Sequence, residues 1–191
     1  IYIINHANDK ILIVDLDLVP IIEKIINDCP NVERLVILCS KEDLPSTEFS
    51  EVISYEELLL MGSANFEWIS GEETDACGIC YTSGTTGDPK GVVYTHRSNT
   101  LHALTQAAPD MLNLSSSDTI MPVVPLFHAN GWSIAYTAPL VGSSIVFPGG
   151  DLSPSSLYDM LKKGVTITAA VPTVWLLLLN HLRDSGKKLN T

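Results

Sequence analysis

The 191-residue chain is 46% apolar, enough to bury a sizeable core in one or two domains. Its net charge of −11 is concentrated in residues 1–75, where 16 acidic against 4 basic side chains leave −12. That acidity argues against a nucleic-acid partner, and no apolar run reaches the ~18–20 residues of a transmembrane segment.

Ile1 to Ile4 run at once into Asn5 and His6, without the basic start of a signal peptide or an initiator Met. The chain is therefore expected to begin inside a longer protein. Residues 10–14 read as a buried strand. Asp15 or Asp17 is the expected cap of a helix carrying Val19, Ile22, Ile25 and Ile26 on one face and ending at Pro30. Residues 32–38 read as the next strand, completing a parallel βαβ unit. A polar loop spans 41–51. Ser54 and Glu57 have capping-box spacing and open a helix over 54–61, closed by Gly62. Residues 63–75 are an acidic connection.

Strands are expected at 77–81 and 91–95, a helix at 97–107, a strand at 117–124, a helix at 129–140 and a strand at 144–147. Ser153 opens a helix to 162, stopped by Gly164. Residues 165–171 read as a strand, and Pro172 stands in the first turn of a helix to about 183. Within it, 174–179 is apolar all round, the mark of a fully buried helix. The fold class is α/β, with mixed β-sheets flanked by helices. An acidic βαβ-type portion, 1–75, precedes a neutral portion, 76–191. Cys77 and Cys80 form a C-x-x-C, but side chains three apart on a strand point to opposite faces, and no second pair completes a zinc set. Four reduced thiols suit the cytoplasm.

The chemistry is concentrated in Tyr81-Thr82-Ser83-Gly84-Thr85-Thr86-Gly87-Asp88-Pro89-Lys90-Gly91. Three glycines allow tight turns and close backbone approach to a ligand. Successive N–H groups form an anion-binding nest, four hydroxyls donate to phosphate oxygens, and Lys90 adds a charged donor. A Walker A loop would continue from its lysine into a helix. Here Lys90 leads into a strand-like run, so the loop is expected at a hairpin tip. A ligand-free hairpin turn has no need of four hydroxyls and a lysine.

This segment resembles the phosphate-loop signature of the adenylate-forming superfamily, which includes acyl-CoA synthetases, luciferases and peptide-synthetase adenylation domains. Pro122 to Trp132, with Phe127 and His128 at its centre, is similar to the superfamily segment that heads the acyl pocket. Ala170 to Trp175 is similar to a fatty acyl-CoA synthetase segment. The resemblance runs through nearly all of the chain and implies part of the N-terminal domain of a medium- or long-chain fatty acyl-CoA synthetase. Its implied reactants are ATP, Mg²⁺, a fatty acid and coenzyme A. The implied phosphate-binding residues are Thr82, Ser83, Gly84, Thr85, Thr86, Gly87 and Lys90, with Thr82 also a Mg²⁺ ligand. Lys90 and His128 are the implied catalytic residues. His128, Trp132, Val171, Pro172 and Thr173 are the implied acyl-site residues, Trp132 as a tunnel gate.

Without the resemblance, His128 reads first as a core histidine, and a Trp on a helix such as Trp132 is more often packing than a gate. His6, His96, His102 and His181 carry no signal. The superfamily's aromatic-Gly-x-Thr-Glu segment, ribose-binding Asp, hinge and late catalytic Lys have no counterpart in 92–191. The chain alone is thus expected not to turn over. Related fatty acyl-CoA synthetases are often homodimers, which extends to the full-length protein as an expectation. Two other readings stand beside this one: an adenylation domain or ligase acting on a different acid, and a non-catalytic nucleotide-binding module.

Overall fold

The computed structural model describes residues 1–83 and 87–189, which fall into two units: Ile1–Ser70 with Tyr81–Gly91, and Gly71–Cys80 with Val92–Thr191. In the first unit, β1 (Ile11–Asp15), β2 (Arg34–Leu38) and β3 (Val52–Ser54) form a parallel sheet in that order. Leu35, Val36 and Ile37 of β2 are all buried, as a central parallel strand covered on both faces requires. Val19 of α2 (Val19–Ile25) packs on Leu35 and Ile37. Ile4 of α1 (Tyr2–Ala7) packs against Ile26, Cys29 and Val32.

Neither Asp15 nor Asp17 caps α2. A 3-10 turn, Leu16–Leu18, intervenes, and α2 starts on Val19 with Pro20 next, whose missing N–H is no loss in a first turn. Ser54 does cap α3 (Tyr55–Leu60): its Oγ accepts from the Glu57 N–H at 3.2 Å. The three-residue β3 has no counterpart in the sequence reading; Val52 and Ile53 fall between the loop read over 41–51 and the helix read from 54.

In the second unit β6 (Thr119–Val123) lies between β7 (Ser144–Ile145) and β8 (Ile167–Ala170), all parallel. Ile120 and Val124 pack with Ile134 and Ala138 of α5 (Ile134–Val141) on one face. Met121 and Val123 pack with Leu157 of α6 (Pro154–Leu161) on the other. The period of two along β6 thus builds a helix–sheet–helix sandwich. Thr95 and Ser98 form a capping box on α4 (His96–Ala107), and Ser153 caps α6.

The strand expected to be buried over 10–14 keeps one face open, with Ile11 and Ile13 57% and 58% exposed. Two further expectations are corrected here. The helix expected over 129–140 is broken: Ala129–Trp132 and Ser133 all have positive φ, and only Ile134–Val141 is right-handed helix. Gly131 and Asn130 tolerate this left-handed turn, and Ser133 leads out of it. The apolar run in α7 (Pro172–Ser185) is buried on one side only. Leu178 is 5% exposed, whereas Leu176 and Leu177 are 60% and 59% exposed. Among the described residues, no helix is long and apolar enough to cross a membrane.

Asp118 ties the start of β6 to the strand beside it. Its carboxylate accepts from the Ser115 hydroxyl at 2.7 Å, the Ser115 N–H at 2.8 Å and the Thr166 hydroxyl at 2.8 Å. The Ser115 hydroxyl first, then the Thr166 hydroxyl, hold its pKa below the ordinary carboxylate value. A depressed folded pKa contributes stability that is complete above the unfolded value and lost as pH falls through the folded one. Asp118→Asn therefore lowers the melting temperature at neutral pH, and thermal scans show the gap to wild type closing below about pH 3–4. A gap that stays constant across that range rules this out.

Candidate active site

β4 (Ala76–Thr82) and β5 (Lys90–Thr95) pair as a two-stranded ribbon, and the phosphate-type loop joins them. Thr82 and Ser83 are exposed at its start, and Lys90 is exposed at its end. No ion pair to Lys90 is found among the described residues. Gly87 has φ 83°, a left-handed conformation that glycine adopts without penalty, and a Cβ there would meet open space. Glycine is needed there for its backbone rather than for room. Gly84, Thr85 and Thr86 lie outside the described residues. At the loop end of the ribbon the Tyr81 hydroxyl meets His6 Nδ1 at 2.6 Å, and the two rings pack edge to face.

In the second unit, the other two motif segments leave one edge of one sheet. β6 and β8 are parallel and in register through Val123 and Ala170. Pro125 to His128 follow the carboxyl end of β6, and Val171 to Thr173 follow that of β8. The carboxyl edge of a parallel sheet is where α/β folds bind ligands. His128 is exposed; its N–H donates to the Pro125 carbonyl at 3.1 Å, and its carbonyl accepts from the Gly131 N–H at 3.0 Å. Those bonds close the left-handed turn that carries Trp132, itself 37% exposed. Gly131 is buried with φ 59°, and an added Cβ would stand 2.6 Å from Leu126 Cδ2. Glycine here meets both a conformational and a steric demand.

Beside this edge, Val123, Pro125, Leu126, Phe147 and Leu152 help to line an apolar cavity of about 350 Å³. A larger one, about 610 Å³, is lined by Cys77, His96, Asn99 and Tyr136 among others. None of the acyl-site candidates His128, Trp132, Val171, Pro172 and Thr173 lines either cavity.

A family model described as "AMP-binding enzyme" matches residues 1–190. The chain belongs to that family. It is 44% identical over 188 residues to the medium-chain-fatty-acid–CoA ligase of Ectopseudomonas oleovorans, covering 98% of this chain and 34% of that protein. It is 40% identical over 192 residues to the 3-methylmercaptopropionyl-CoA ligase of Ruegeria pomeroyi, covering 100% and 36%. The structure superposes on a long-chain-fatty-acid-CoA ligase from Archaeoglobus fulgidus with a TM-score of 0.82 at 28% identity, covering 99% of this chain and 35% of that one. The chain therefore spans about a third of the length of the relatives it matches.

In this member of the AMP-binding family the C-x-x-C is not a paired unit. Cys77 Sγ accepts from Asn99 Nδ2 at 3.1 Å, whereas Cys80 Sγ donates to Asn130 Oδ1 at 3.1 Å. All four cysteines are free. Among the described residues, no group of three or more His, Cys, Asp or Glu side chains is placed to hold a metal ion. The sequence reading missed the pair formed by His6 and Tyr81. They are 75 residues apart, and no motif joins them.

Proposed function

We propose that the full-length protein is an ATP-dependent fatty acid–CoA ligase. It joins a carboxylic acid to the α-phosphate of ATP, releasing pyrophosphate and forming an acyl-adenylate. The coenzyme A thiol then attacks the acyl carbonyl, releasing AMP and giving the thioester. A carboxylate is already a nucleophile at neutral pH, so no general base is required. The demand is to hold two anions together and to stabilise the leaving pyrophosphate.

One observation carries this reading: an exposed lysine without an ion pair among the described residues closes a glycine- and hydroxyl-rich loop between paired strands. Lys90 supplies charge to the phosphates, while Thr82, Ser83, Thr85 and Thr86 donate hydroxyls and Gly84 and Gly87 bring the backbone N–H groups close. The Thr82 hydroxyl is a hard oxygen donor at the exposed end of β4 and fits Mg²⁺, which is commonly held by few protein ligands plus substrate phosphates. When bound, Mg²⁺ neutralises developing phosphate charge. His128, Trp132, Val171, Pro172 and Thr173 are assigned to the acyl group, supported by their shared position after adjacent strand ends. Four free thiols support a cytoplasmic location, and the resemblance supports a homodimer with small-molecule substrates.

The likeness to the 3-methylmercaptopropionyl-CoA ligase favours a second reading, a ligase of the same kind for a short sulfur-containing acid. Pyrophosphate release by the full-length protein, measured with short, medium and long fatty acids, 3-methylmercaptopropionate, benzoate and amino acids, separates the two. Medium or long fatty acids are expected to give the highest kcat/KM. A higher value for the sulfur acid selects the second reading, and no release with any acid removes both.

A further inference from the structure

α1 is fastened to the core of its unit at two points. Ile4 packs on the Ile26, Cys29 and Val32 cluster. The Asn5 side-chain amide donates to the Asp28 carbonyl at 2.8 Å. Its C-terminus is closed by Asn8 in the left-handed conformation, φ 57°, whose N–H bonds the Asn5 carbonyl. So short a helix is marginal by itself, and these anchors give it a fixed place. His6 projects from it with its ring stacked on Tyr2 at 5.3 Å, and its Nδ1 reaches the Tyr81 hydroxyl at 2.6 Å. Partial burial first, then Tyr2 and Asp9, push the Tyr81 phenol up, so a neutral hydroxyl meets the imidazole. Tyr81 immediately precedes Thr82, where the phosphate loop begins.

We propose that His6 is a positioning residue for the phosphate loop: through Tyr81 it fixes the backbone at Thr82 against the core by way of α1. The inference rests on the phosphate-loop reading above. A ribbon of two strands holds its tip loosely, and a loop of N–H donors serves a phosphate only when held near the productive geometry. The side-chain bond from His6 supplies a third attachment beyond the two strands. ATP use, rather than acid use, should therefore register its loss.

The test uses the full-length enzyme with His6→Ala, Tyr81→Phe, the double variant and His6→Asn. The last can keep a hydrogen-bonding atom near the place of Nδ1. Both single variants are expected to raise KM for ATP by roughly fivefold to tenfold, the scale of one hydrogen bond, with KM for the acid unchanged. The double variant should be no worse than either single one, and His6→Asn should recover most of the loss. Should His6→Ala fail to fold, Tyr81→Phe removes a single oxygen and decides alone. ATP KM within about twofold of wild type in Tyr81→Phe, or additive losses in the double variant, overturns the proposal. Lys90→Ala in the same series separates the two failures. If it loses ATP use while Tyr81→Phe does not, only the role of His6 falls; if it too is unaffected, the phosphate-loop reading falls with it.

Discussion

Pyrophosphate release by the full-length protein falls about 10²–10³-fold when Lys90 is replaced by alanine, the scale of removing one preorganised donor from a developing charge. Lys90 is the first residue of β5 and is exposed, with no ion pair among the described residues. Its loss therefore breaks no described structural contact, and the melting temperature should stay near wild type, as for most surface substitutions. Loss of rate with retained fold separates chemistry from packing. Lys90→Arg keeps the charge but replaces a compact ammonium with a planar fork, so partial recovery is expected. If Lys90→Ala keeps release within threefold of wild type, the loop does not serve a phosphate.

The largest effect on stability is expected at Ile120. Its side chain is fully buried, and it packs in one cluster with Val124, Ile134, Ala138 and Ala169. Ile120→Ala removes apolar bulk and leaves a cavity that close-packed neighbours fill only in part, a cost of about 2–5 kcal/mol. Denaturant unfolding should show a lower midpoint with an unchanged slope. Ile145, half-buried at the sheet edge, should cost less by the same substitution. Because β6 pairs with β7 and β8 together, loosening it also frees the ends that carry His128 and Val171. A loss under about 1 kcal/mol at Ile120 contradicts a tightly packed β6.

Much of the fold was legible because local chemistry and tertiary demand agree. The apolar runs at β2 and β6 have no polar face to expose, which suits parallel strands covered on both sides. Ser54 and Ser153 stand where helix N-caps form, because each hydroxyl can bond the N–H three residues on. The misses share a different cause. Ala129 to Trp132 reads as a helix start by propensity, but the position of Gly131 against Leu126 selects the left-handed turn. The one-sided burial of α7 depends on which surfaces are present to meet it. Of the candidate site, the loop residues were legible as a motif, whereas His6 was not. A lone histidine on a short helix has no pattern, and its meaning lies in Tyr81, 75 residues away.

The order of β7, β6 and β8 has a consequence during synthesis. The middle strand leaves the ribosome first, and its partner at β8 follows 47 residues later. At roughly 5–20 residues per second, that leaves the β8-facing edge of an apolar strand unpaired for several seconds. Chaperone demand, and losses during fast overexpression, should therefore trace to Ile120 and Met121 before any other part of the second unit.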